Sequence, residues 1–298
     1  MIINHANISG LTTAFSTAFN KTLGETKTHY REIATEVPSS TAENTYAWLG
    51  QMSGMREWIG DREIQHISEY GYTIRNKKFE RTQGVPREMI EDDQYGVYTP
   101  MFSMMGEEAA LHPDEMVFSL LAKGFTELCY DGKAFFAEDH KSGDNVYSNK
   151  SDEPLSKEAF LKGRTSIMSI LGDKGKALNI IPDLLVVSPT NEAKAKEILE
   201  ADIINGTTNP TKGMAKLLVA TQLAGDTDKD KWFLLSTNKF LKPLIFQKRK
   251  PLKFTMLTKE TDLNVFMTDE FLYGADCRDN AGFGFWQMAY GSTGQAKG

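Results

Sequence analysis

From Arg62 to Asp93 the chain reads REIQHISEYGYTIRNKKFERTQGVPREMIEDD, a long extended pattern with few apolar side chains. Tyr70, Tyr72 and Ile74 alternate, Arg75-Asn76-Lys77 offers a turn, and Phe79 to Met89 runs back. The expected element is a long polar hairpin. A two-stranded hairpin on its own is marginal in water, because pairing it removes so little apolar surface from solvent. A chain that carries such an element needs a partner surface for it, which favours an assembling protein over a closed monomer.

The flanking segments look globular. With 298 residues, 40% hydrophobic and 25% charged, the chain can bury one large core or two moderate ones. Residues 1–45 are rich in Thr, Ser and Asn, and Phe15 and Phe19, four apart, predict a short amphipathic helix over Thr12–Leu23. That segment lacks the apolar content for a core of its own. It reads as an arm that gains order by lying across something else, or as a free terminus.

A helical stripe follows at Met101, Met104, Met105 and Ala109. Pro113 is expected to interrupt it, with His112-Pro113-Asp114-Glu115 opening a second helix whose stripe is Val117, Leu120, Leu121 and Phe125. Asp131-Gly132 supplies a turn before a strand at Ala134–Ala137. A helix over Leu155–Leu171 has Ser156 as its N-cap. Further on come a buried-type strand at Pro182–Val187, a helix at Pro189–Leu199, a loop at Asn205–Lys212 and a strand at Trp232–Leu235. Pro243–Leu257 is long and extended, and Asn264–Tyr290 holds further strands or a strand plus a short helix. Helices and strands interleave without a βαβ repeat, so the fold class is α+β.

The net charge of −6 argues against tight nucleic-acid binding, which needs a basic footprint, but an acidic wall suits a container that must not stick to phosphates. The basic runs Asn76-Lys77-Lys78 and Lys248-Arg249-Lys250 read as a solvated face or as inter-subunit salt-bridge partners. No apolar run is long enough to cross a bilayer, and the N-terminal stretch lacks the pattern of a secretory signal. Cys129 and Cys277 make no disulfide framework and read as small buried hydrophobes in a reducing cytosol.

Phosphate-binding, nucleophile-elbow and zinc-protease motifs are absent, and Gly282-Phe283-Gly284 reads as a tight structural turn. His66, His112 and His140 fall in separate segments. His140 with Glu138 and Asp139 is a candidate divalent-ion site, set against a hydrogen-bonded loop histidine. Glu91-Asp92-Asp93 is either an acidic helix approach, a salt-bridge partner or a metal site. No catalytic, cofactor-binding or metal residue is assigned, and the expectation is that the chain is not an enzyme.

Several ordered phrases remain: Trp58-Ile59-Gly60-Asp61-Arg62, the tyrosine-rich run ending Phe79-Glu80, and Ile90 to Gly96. HPDEMVFSLL, CYDGKAFFAEDH from Cys129 to His140, PDLLVVSPTNEAKAKEIL, and Tyr273 to Ser292 follow. In this order they resemble the major head (capsid) subunit of Mu-like bacteriophages and prophages, across about Tyr46 to Ser292.

The resemblance implies an HK97-type capsid fold. It assigns an N-terminal arm (1–45), an extended hairpin or E-loop (62–92), a peripheral domain (46–61, 93–175 and 256–298) with a spine helix near 96–111, and an axial domain (176–255). It implies self-assembly into hexamers and pentamers of an icosahedral virion around double-stranded DNA bound without sequence specificity, with assembly in the host cytoplasm and no membrane. Separate scaffold and portal proteins and a decoration protein are the implied partners, and no cofactor is. Some relatives of this fold cross-link an E-loop lysine to a neighbour, which would point to Lys77 or Lys78. Two other readings stay open: an encapsulin-like shell of the same fold, and a metal-dependent hydrolase using Glu91, Asp92, Asp93 and His140.

Overall fold

The computed structural model describes residues 5–47, 49, 71–92, 96–172, 175–204 and 206–295. In chain order it begins with helix α1 (His5–Glu25), the short α2 (Tyr30–Ile33), and strands β1 (Ala34–Pro38), β2 (Glu43–Tyr46), β3 (Tyr72–Arg75) and β4 (Lys77–Pro86). Helices α3 (Arg87–Glu91) and α4 (Thr99–Ala122) follow, then β5 (His140–Ser142), β6 (Asn145–Tyr147) and β7 (Lys150–Ser151). Next are α5 (Lys157–Met168), β8 (Leu184–Val187), α6 (Glu192–Leu199), β9 (Ile203–Ile204), β10 (Thr207–Thr208), β11 (Lys216–Val219) and β12 (Trp232–Leu235). The chain closes with β13 (Leu244–Leu257), α7 (Leu263–Thr268), β14 (Glu270–Phe283) and β15 (Ala289–Ser292).

Two sheets organise these elements. One has the order β1-β13-β14-β4, with β1 parallel to β13 and the other pairs antiparallel. The second has the order β11-β8-β12-β15-β7. The mixture is the expected α+β class. Residues 176–255 are divided between the sheets: β8, β11 and β12 lie in the second, β13 in the first. The second sheet also recruits Lys150–Ser151 and Ala289–Ser292 from outside that range.

The hairpin expected over 62–92 takes a different form where it is described. Strand β3 pairs antiparallel with β2, not with β4, while β4 pairs with β14 along its whole length, from Pro86 opposite Glu270 to Lys77 opposite Asp279. Arg75-Asn76-Lys77 passes the chain from one pairing to the other. The reason is burial: against β14, Val85 reaches a core that a free hairpin would not provide. Lys77 and Lys78, the candidate cross-linking lysines, consequently sit inside a sheet strand. Arg62 to Tyr70, with His66 and the Trp58 phrase, lies outside the described residues.

The expected break at Pro113 does not occur. Helix α4 runs unbroken from Thr99 to Ala122 through the proline. An interior proline forfeits one N–H bond and crowds the preceding turn, a penalty of about 3 kcal/mol. Val117, Phe118 and Leu121 just beyond it are buried in the main core and offset that penalty. Asp114 is not the opening acid of a new helix; its carboxylate accepts hydrogen bonds from the backbone N–H groups of His29 and Tyr30 at 2.9 and 2.7 Å, capping α2. The strand expected at Ala134–Ala137 is also absent: only an isolated bridge joins Ala134 to Leu128, and Phe135 and Phe136 are side chains of the core rather than rungs of a ladder.

The N-terminal arm is a longer helix than predicted, and what it lies across is α4 of its own chain. Phe15 stacks on Phe102 with ring centroids 4.3 Å apart, and Phe19 stacks on Phe254 at 4.6 Å. Gly106 of α4 makes the approach possible, since a Cβ there would stand 2.4 Å from the Phe19 carbonyl oxygen. These rings, with Val85, Ile90, Met105, Phe271, Tyr273 and Ala275, form a second core under the four-stranded sheet. The larger core fills the five-stranded sheet and reaches the carboxyl half of α4, so α4 spans both.

Candidate assembly surfaces

One end of the four-stranded sheet carries an apolar tip. Beyond β13 the chain turns through Leu257 into α7, and the N–H of Arg87, just past β4, donates to the Asp269 carbonyl at 2.9 Å. Val265 is the α7 side chain that turns inward. Leu263, Phe266 and Met267 face out, 75%, 80% and 68% exposed, with Leu257 and Met89 also exposed. Isolated exposed apolar residues are ordinary, but large ones gathered on one short helix at a sheet end mark a contact surface.

The outer face of that sheet is charged. Along β14 the side chains of Phe271, Tyr273, Ala275, Cys277 and Asp279 are buried towards the helices, so Arg278 and Asp276 point the other way. Arg278 stands opposite Lys78 of β4 on one side and Lys250 of β13 on the other, three cations in a row. Like charges directly across a ladder repel. Among the described residues only part of this is relieved, where Lys250 pairs with Asp276. The two basic runs that stand far apart in the sequence thus meet on one surface.

At the other end, polar side chains fix the root of the β2–β3 pair. Buried Gln247 of β13 accepts from the Tyr46 hydroxyl at 2.8 Å and donates to the Ile74 carbonyl at 3.1 Å and to Asn76 Oδ1 at 2.8 Å. The Tyr72 hydroxyl accepts from the Phe283 N–H at 2.9 Å. A Cβ at Gly282 would overlap the Ile74 side chain, and one at Gly284 would come 2.8 Å from the Pro243 carbonyl. Gly282-Phe283-Gly284 is therefore the close-packed end of β14 rather than a tight turn. The β2–β3 pair is bolted to the sheet through both of its strands.

The candidate metal residues His140, Glu138 and Asp139 do not converge on one point. His140 is fully buried and stacks flat on Trp286, centroids 4.2 Å apart. Its Nδ1 lies 2.6 Å from Asp131 Oδ2 and its Nε2 lies 3.2 Å from the Phe135 carbonyl. Both ring nitrogens face oxygen atoms, and the ring spans a carboxylate and a carbonyl. Burial alone would raise the Asp131 carboxyl, but the hydrogen bond and charge of His140 outweigh it and hold that group below the usual aspartate range. The Cys129 thiol donates to Asp131 Oδ1 at 3.2 Å, and burial followed by Asp131 itself pushes that thiol strongly up. Glu138 and Asp139 instead reach out to Lys150 and Lys133. Asp92 is exposed and Asp93 lies outside the described residues. The cluster is a pin holding the 129–140 segment; Cys129-x-Asp131 followed by His140 is its only sequence signal.

A family model described as "Mu-like prophage major head subunit gpT" matches residues 8–153, 146–223 and 221–297. The major capsid protein of Escherichia phage Mu is 35% identical over 289 residues, covering 97% of this chain and 74% of that protein. The chain belongs to the Mu-like major head subunit family. Among solved structures, the procapsid of bacteriophage JBD30 is similar at 38% identity, with a TM-score of 0.63 over 99% of this chain and 77% of that one. The JBD30 capsid decorated with minor capsid protein trimers is similar at 28% identity, TM-score 0.56, over 98% of this chain.

Membership in the Mu-like head subunit family makes the fold HK97-type and the role structural, with the virion as its place and self-association as its work. This chain is a shell subunit and not an enzyme. Among the described residues no helix is long and apolar enough to cross a membrane. In a Mu-like head subunit the tip, the charged face and the anchored hairpin root are the chemically informative surfaces, and the buried Cys129–Asp131–His140 pin belongs to the architecture.

Proposed function

We propose that this chain builds the icosahedral head of a Mu-like tailed phage or prophage by assembling into hexamers and pentamers that enclose double-stranded DNA without reading its sequence. The observation that carries this reading is the outward-facing apolar side of α7, which the described residues leave uncovered while Val265 on the opposite side is buried. In the proposed division the five-stranded sheet forms the axial domain, and the four-stranded sheet with α4 forms the peripheral domain. Helix α1 is the arm, and β3 and β4 belong to the 62–92 region assigned to the E-loop that reaches a neighbour. The Lys78–Arg278–Lys250 row takes acidic groups of a second copy, in keeping with a chain whose net charge is −6.

Scaffold and portal proteins act separately, a decoration protein can dock on the outside, and assembly proceeds in the host cytoplasm. Negative-stain microscopy with light scattering over a concentration series tests this reading. Shells, tubes, or hexamers and pentamers are expected from the purified chain or on co-expression with its scaffold. A species that stays monomeric under crowding and with the scaffold would overturn it.

A further inference from the structure

Helix α4 carries His112 immediately before Pro113, and β14 carries Cys277 and Asp279 two residues apart, hence on the one strand face that meets the helix. The imidazole nitrogen, the sulfur and a carboxylate oxygen all lie within 4.8 Å of one another. His112 Nε2 is 3.1 Å from Asp279 Oδ1. Two ligands bound about 2.0–2.1 Å from a tetrahedral zinc stand slightly more than 3 Å apart, so this pair is already spaced for one ion. Cys277 and Asp279 are 5% and 4% exposed. His112 is 22% exposed at the side chain and lines a groove of about 410 Å³ running under α4 beside Pro113 and Leu252. The groove supplies what the other two ligands lack, a route in and space for a solvent ligand.

The second constellation of the same residue types behaves differently. His140 is sealed, its Nδ1 stands only 2.6 Å from Asp131 Oδ2, and its Nε2 is committed to the Phe135 carbonyl. Those donors are too close to share one ion without opening the core. At the α4–β14 site one thiol, one imidazole and one carboxylate form a donor set suited to borderline-soft divalent ions. Lys250 and Lys248, which also line the groove, are turned to Asp276 and Glu36.

We propose that His112, Cys277 and Asp279 form a binding site for a divalent transition ion of the zinc type, with water from the groove as fourth ligand. Binding transfers the Cys277 proton to solvent, the sulfur lone pair to the ion, and changes no oxidation state. A coordinating cysteine binds as its thiolate, so binding releases the thiol proton and is favoured as pH rises. The bound ion ties the long helix to the peripheral sheet at a point between the two cores.

Cobalt(II) titration of the metal-stripped full-length chain tests the site, followed by displacement with zinc. The expected result is one equivalent of tetrahedral cobalt with a thiolate-to-metal charge-transfer band in the near ultraviolet, lost on adding zinc. C277S abolishes the band and C129S leaves it intact. H112Q, which keeps both thiols, weakens binding by roughly tenfold or more, and circular dichroism establishes that each variant is folded. Absence of the band in the wild-type chain, its survival in C277S, or its loss in C129S would overturn the assignment. Should C277S fail to fold, a folded H112Q that binds cobalt as tightly as wild type would do the same.

Discussion

The two halves of the molecule bury their sheets in different ways. In the five-stranded sheet every residue of β8, β12 and β15 is buried, so its central strands are covered on both faces. In the four-stranded sheet β14 alternates between buried and partly exposed residues, and β13 is fully buried only over Leu244–Gln247. Helices α1 and α4 cover one face of it, and among the described residues nothing covers the charged other face or the apolar tip. The first half closes its central strands within the chain. The second leaves exposed surfaces among the described residues, and it is this half that holds the β2–β3 root, the cation row and α7.

On that contrast, damage to the first half is felt globally. Phe233 is fully buried on β12, with ring centroids 5.4 Å from Phe136 and 6.0 Å from Phe125. Phe233→Ala should lower stability by about 3–5 kcal/mol in urea denaturation, with loss of soluble chain at the upper end. Damage to the arm should stay local. In Gly106→Ala the new methyl meets the Phe19 carbonyl, and overpacking of this kind destabilises by about 1–3 kcal/mol, while α4 itself gains up to about 1 kcal/mol in helix propensity. The expected outcome is an α1 that exchanges amide hydrogen quickly and is cut from the body near Thr26–Thr28 by limited proteolysis, with the main unfolding transition in place. A global loss as large as that of Phe233→Ala would mean the halves are one cooperative unit.

Much of the first half is legible locally. Ser156 caps α5, its hydroxyl accepting the Ala159 N–H at 3.0 Å, because the cap and its target lie three residues apart. The runs Leu184–Val187 and Trp232–Leu235 announce buried strands by their unbroken apolar character. The second half depends on pairings over long distances. Phe79 pairs with Cys277, and nothing local distinguishes that partner from the nearer one that a hairpin would use. His112 and Asp279 are 167 positions apart, and no spacing rule links them. The spacing of Leu263, Phe266 and Met267 marks one helix face, but which face turns inward is decided by Val265 and the rest of the core. The family phrases supplied what the local pattern lacked, an architecture in which long-range strands and an ordered arm are expected.

Two smaller effects probe the polar pins within each region. Asp114 is 2% exposed and joins α4 to the start of α2. Asp114→Asn keeps the shape but removes the charge from these hydrogen bonds, and should destabilise by about 1–3 kcal/mol in the same denaturation assay. The Asp131–His140 pin predicts a pH dependence. A carboxyl depressed in the folded state contributes stability that is complete above the ordinary aspartate value near 4 and is lost as pH falls through its lower folded value. The urea midpoint of the wild-type chain should therefore fall between about pH 5 and 3 more steeply than that of Asp131→Asn. Equal slopes would show that this pin carries no share of acid sensitivity.

The smallest effect on stability is expected at the tip, where the consequence for assembly is greatest. Phe266 is 80% exposed on α7, so Phe266→Asp removes almost no internal contact and should shift the unfolding midpoint by no more than about 0.5 kcal/mol. A carboxylate at a contact between copies would have to be desolvated without a partner, so the same substitution should stop shells from forming at concentrations where the parent chain assembles. Comparing light scattering with denaturation on one sample separates the two readouts. Normal shells from Phe266→Asp would remove α7 from the contacts between copies and leave its apolar side chains without a role. A fall in stability comparable to that of Phe233→Ala would place the tip inside the folding unit, and the distinction between the closed half and the unfinished half would fail at the point where it is sharpest.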